Sequence, residues 1–173
     1  QRLLRSGADK VVVNSALFEA PNLLKELAIE FGQQCIIGSV DFKKDQEGRH
    51  EIYTHNGSKA LKSKPWNALA KLPRDCVGEL YLNSIDKDGN GQGYDFELME
   101  LIPTGWSTPL IIAGGVGNSS HLIEGLRDSR VDATATAHLF NFVGDGLKAA
   151  RAAVLLEKIP LASWPPLEQI DNV

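Results

Sequence analysis

Cysteine is nearly missing from this chain. Cys35 and Cys76 stand far apart with no CxxC spacing, so neither a disulfide framework nor a zinc cluster is expected, and both read as reduced, buried packing residues. Long apolar runs are missing too: none approaches the roughly 20 residues that span a bilayer. The first residues lack the charged and apolar regions of a signal peptide, so a cytoplasmic location follows by default. Nor is there a positive excess. Against 18 Lys and Arg stand 22 Asp and Glu, a net charge of −4, which makes nucleic acid and membrane surfaces poor partners. A helix cap is also lacking before QRLLRSGAD, so the chain reads as starting inside a helix, as a fragment of something larger would.

What is present is a core. Of 173 residues 43% are hydrophobic, enough for one soluble domain, and disordered and fibrous classes are excluded. KVVVNSALF (10–18) and CIIGSVDF (35–42) read as strands buried on both faces, as in parallel sheets, with the helix PNLLKELAIEFG between them, opened by Pro21 and closed by Gly32. Polar turn signals around HEIYTH (50–55) predict a small hairpin inserted over residues 45–60. The helix PWNALAKLP, the strand GELYLNSI and the helix DFELMELI from Asp95 follow. After them come the strand PLIIAGGVG, the helix NSSHLIEGLRD with Asn118 as N-cap, the strand VDATATAHLF and the helix GLKAARAAVLLEK. Alternating strands and helices with short connections predict an α/β chain with one parallel sheet of five strands: either a doubly wound sheet or part of an eight-stranded barrel.

In both folds ligands bind at the C-terminal ends of the strands. Here those ends carry Asn14 and Ser15, Asp41, Asn83 with Asp86 and Asp88, Gly114 and Gly115, and Thr136 to His138. Polar groups converging on one rim favour a polar ligand site. Gly114 and Gly115 either let backbone N–H groups approach a phosphate or serve a tight turn. His138 is either a donor to such a phosphate or a packing residue, and Asp41 either caps local backbone or works as a general acid or base. His50, His55 and His121 share no metal-ligand spacing and read as surface residues. The loop from Asp86 to Glu97 matches the calcium-loop pattern of an EF-hand, yet a strand rather than a helix enters it. Gly93 and Tyr94 also occupy its eighth and ninth positions. No metal and no cofactor are therefore expected.

The stretches ADKVVVNSALFEAPNLL, GSVDFKKD, GELYLNSIDKDGNGQGYD, PLIIAGGVGN and DATATAHLFNF, in this order and spacing, resemble the cyclase subunit of imidazole glycerol phosphate synthase. The likeness runs from Gly7 to about Phe142. It implies a (βα)8 barrel of which this chain holds strands four to eight, a single partial domain over 1–173. It also implies that ammonia from a partner glutaminase subunit reacts with a bisphosphorylated ribulosyl substrate, with two aspartates as general acid and base. Asp41 matches the aspartate that ends strand five; the one that ends strand one has no counterpart in this chain.

By the same matching, Asn14, Ser15, Asp88 and Gly89 resemble the substrate-binding set near one phosphate, with Asn83 beside them. Gly114, Gly115, Ala137 and His138 resemble the other phosphate site. Lys10 and Glu79 resemble two members of a charged gate for ammonia at the opposite end of the barrel; a plain salt bridge is the other reading. Ala113 and His138 stand where the histidine-pathway enzymes carry serine, and the stretch HNGSKALKSKPWNALAKLP between Tyr53 and Cys76 lacks the family's usual sequence. Relatives that amidinate a nucleotide-linked sugar in surface-polysaccharide synthesis are thus an alternative, as is a non-catalytic fragment that binds phosphates or a partner. Five strands cannot close an eight-stranded barrel, so self-association through open sheet edges is expected.

Overall fold

In the computed structural model, residues 1–137 and 146–162 are described. After a single turn of helix (α1, Arg2–Arg5), three β-branched residues form β1 (Val11–Val13). The strand expected over 10–18 is cut short because Asn14 and Ser15 turn the chain into α2 (Ser15–Glu19). Helix α3 (Pro21–Phe31) has Pro21 in its first turn, buries Leu24 and Leu27, and stops at Gly32, whose φ of +89° a side chain would resist. Strand β2 (Ile36–Lys44) is nine residues long and folds back through β3 (His50–Thr54) and β4 (Lys59–Ala60). Then come α4 (Pro65–Ala70), β5 (Glu79–Ser84), a 3-10 helix (Phe96–Leu101) where an α-helix is expected, β6 (Leu110–Ala113), α5 (Ser119–Arg127), β7 (Ala133–Thr134) and α6 (Gly146–Leu156).

Strands β1, β2, β5, β6 and β7 pair in parallel, each with the next in chain order. A doubly wound sheet reverses its order at a switch point, whereas successive units of a barrel do not. The observed order is that of the barrel. β3 pairs antiparallel with the upper half of β2 and β4 with β3, which makes seven strands in the sheet rather than five. Among the described residues the sheet is open, with β1 and β7 at free edges.

The two faces of the sheet differ sharply. Ile36, Val40, Phe42, Leu80, Leu82 and Ile112 are wholly buried on the face that the helices cover. Burial of such side chains is the main force that holds the helices on, at about 25 cal/mol per Å² of apolar surface. The other face carries Val12, Ile37, Asp41, Glu79, Tyr81 and Asn83, linked by the strand register. Val12 is 61% exposed, so β1 is not buried on both faces: its inner side has nothing packed on it among the described residues.

Candidate functional site

Asp41 lies within β2, three residues before the strand ends, because the strand runs on to pair with β3. In the register Asp41 stands beside Asn83 of β5, which in turn stands beside Ala113 of β6. Asn83 Nδ2 donates to Asp41 Oδ1 at 3.2 Å. Burial pushes the Asp41 carboxyl above its ordinary range; the Asn83 hydrogen bond opposes that rise and the nearby Asp88 charge adds to it. Asp88 lies in the turn that leaves β5, where its backbone N–H donates to Ser84 O at 3.0 Å.

Gly114 and Gly115 close against this pair. A Cβ on Gly114 would lie 2.6 Å from Ser84 O and 3.1 Å from Asn83 Oδ1, and one on Gly115 would lie 2.1 Å from Gly93 O. Their φ values of +87° and +104° also suit glycine alone. The positive φ of a tight turn is therefore present at both, and Gly114 is brought against Asn83 and Ser84 at the rim. Asn118 caps α5 by accepting from His121 N at 3.1 Å. Ala137 is exposed just beyond β7, while His138 lies outside the described residues.

On the other flank, Asn14 Nδ2 donates to Ser39 O at 3.1 Å, and Ser15 Oγ accepts from His55 N at 2.8 Å. Asn14, Ser15, Asp41, Asn83, Asp88, Gly89, Gly114 and Gly115 thus all lie toward the C-terminal ends of the parallel strands. Lys10 and Glu79 form an ion pair at the opposite end, where β5 begins.

His50 corrects the sequence reading. Its side chain is only 7% exposed, and Nε2 lies 2.8 Å from Oδ2 of an equally buried Asp95. Its ring also packs edge-on against Phe42. His121 is half-buried, with Nδ1 accepting from Gly117 N at 3.2 Å, and His55 is exposed. His50, Asp95 and Glu97 hold one ligand atom each within 4.8 Å of one another, a group that a metal could use. The Lys44 ammonium already sits 2.7 Å from Glu97 Oε2 and is the cation there. Sequence reasoning also missed Tyr81. It alternates with Glu79 and Asn83, so the period of two along β5 would have placed it on the inner face. Burial raises its phenol pKa, and the charges of Asp88 and Asp41 raise it further.

The sequence model of a family described as histidine biosynthesis protein matches residues 1–144. A curated protein of Parasynechococcus marenigrum (strain WH8102), provisionally named imidazole glycerol phosphate synthase subunit hisF2, is 39% identical over 166 residues. The matched region is 95% of this chain and 61% of that protein, so the chain spans about six tenths of the relative's length.

Proposed function

Because this chain belongs to the histidine biosynthesis protein family, we propose that it carries strands four to eight of an ammonia-dependent cyclase that acts on a bisphosphorylated ribulosyl substrate. The open parallel sheet is accordingly part of a (βα)8 barrel. The observation that carries the reading is the grouping of Asp41, Asn83 and Asp88 at one rim, with the Gly114–Gly115 backbone against them. A carboxyl raised by burial holds its proton closer to neutral pH, which suits a general acid or base. Asp41 takes that role here. Asp88, Gly89, Asn14 and Ser15 bind near one phosphate, while Gly114, Gly115, Ala137 and His138 bind the other through backbone amides and the dipole of α5.

Ammonia comes from a glutaminase subunit, and the Lys10–Glu79 pair stands at the end where it enters. Among the described residues β1 and β7 each pair with one strand only, which supports pairing with a further strand or chain.

A second reading has its own observation. The stretch that departs from the histidine enzymes lines a cleft of about 510 Å³ with Lys62, Lys64, Pro65 and a 56%-exposed Trp66. An exposed indole and two lysines along one cleft, with Asp45 and Glu51 also in its lining, suit a base and its phosphates, which favours a nucleotide-linked sugar. Incubation with ammonium and each substrate in turn separates the two. Formation of imidazole glycerol phosphate supports the first reading, and amidination of the sugar with no cyclised product supports the second.

A further inference from the structure

The loop that carries Asp88 is built from residues that resist a single shape. Gly89, Gly91 and Gly93 all have positive φ, and glycine loses more backbone freedom on ordering than any other residue. Such a loop holds its acid in place only if both of its ends are fixed. Its entry is fixed to β2: Ile85 N donates to Phe42 O at 2.8 Å and Lys44 N to Asp86 Oδ2 at 2.6 Å. At its exit, Gly93 N donates to Gly115 O at 2.7 Å. Tyr94 follows, buried, with its hydroxyl donating to Ala135 O at 3.2 Å. After it comes the buried Asp95, whose partner is His50 on β3, 45 positions away in the chain and the tie between this exit and the β2–β3 hairpin. His50 shares the helix-covered side of the hairpin with Phe42 and Ile52, the side away from Asp41. It therefore touches neither the inner face nor anything bound there.

We infer that the buried His50–Asp95 pair holds the Asp88 loop at its working distance from Asp41, which makes His50 a positioning residue for substrate binding. This rests on the reading of the rim given above. His50 acts through the loop: the pair ties the exit of the loop to the same hairpin whose first strand carries Asp41, so Asp41 and Asp88 are held from one frame. Loss of the imidazole leaves Asp95 buried without that partner and unties the exit from the hairpin that carries Asp41, while the bonds of Gly93 to Gly115 and of Tyr94 to Ala135 remain.

Three substitutions test this in the enzyme assayed at saturating ammonium: His50→Phe, which keeps the ring packing on Phe42, His50→Gln, which keeps a donor, and Asp95→Asn. His50→Phe is expected to raise KM for the bisphosphorylated substrate about ten-fold with kcat nearly unchanged, and His50→Gln to restore most of the loss. A wild-type KM in a folded His50→Phe protein overturns the inference, as does a fall in thermal stability with KM unmoved. If His50→Phe does not fold, Asp95→Asn decides: a several-fold higher KM supports the inference and an unchanged KM overturns it. Absence of turnover in the unmodified enzyme would instead strike the underlying functional reading.

Discussion

Asn83 Nδ2 donates to Asp41 Oδ1 across 3.2 Å, between residues that stand side by side in adjacent parallel strands. The bond faces the open inner side of the sheet. It favours the ionised carboxylate while burial and Asp88 favour the neutral acid. A carboxyl balanced in this way is costly to the fold and useful to proton transfer.

The first consequence concerns stability. The folded-state pKa of Asp41 is raised above its ordinary 3.8, so folding favours the protonated form. Its favourable contribution is full below the unfolded value and is lost as pH rises through the folded value. Asp41→Asn should therefore melt higher than the parent at neutral pH, with the gap closing as pH falls toward 3.8. Melting curves across that range are the check, and a lower melting temperature at neutral pH contradicts it.

Asn83→Ala removes the hydrogen bond to the carboxylate, which opposes the rise in that pKa. The limb of the pH–rate profile that reports Asp41 should move to higher pH. A profile that keeps its position would show that Asn83 does not tune the acid.

The glycines differ in what a methyl group would meet. At Gly89 the cost of alanine is the positive φ alone, about 1–2 kcal/mol, since nothing lies within 4 Å. At Gly115 the methyl group also strikes Gly93 O at 2.1 Å, so Gly115→Ala should lose clearly more stability and weaken phosphate binding. Denaturant melts of the two variants rank them directly.

Lys10→Met should lower turnover driven by glutamine through the glutaminase partner while leaving turnover with added ammonium near that of the parent. Equal losses in both assays would make the Lys10–Glu79 pair an ordinary salt bridge.

The order of strands was legible because valine and isoleucine runs alternate with helices punctuated by Pro21, Gly32 and Asn118, and each signal acts locally. Asp41 was legible as a strand-end acid for the same reason, although β2 continues past it to meet β3. The partnership of Asp41 with Asn83 depends on the register of two strands 42 positions apart, which neither sequence segment encodes alone. His50 was misread as a surface residue because its burial is created by Phe42 and Asp95, and a lone histidine carries no local sign of either. Barrel and doubly wound sheet differ in strand order, again a non-local property, so residue patterns left both open; the family resemblance implied the barrel, and the pairing of β1, β2, β5, β6 and β7 agrees with it.

The role proposed for Asp41 is that of acid or base at a rim that binds a bisphosphorylated ribulosyl substrate. Its most direct test is ammonium-dependent formation of imidazole glycerol phosphate by the enzyme and by its Asp41→Asn variant, with substrate saturating. The parent should turn over at a measurable rate, and kcat of the variant should fall about 10²–10⁴-fold. A variant that turns over at the parent's rate would contradict it.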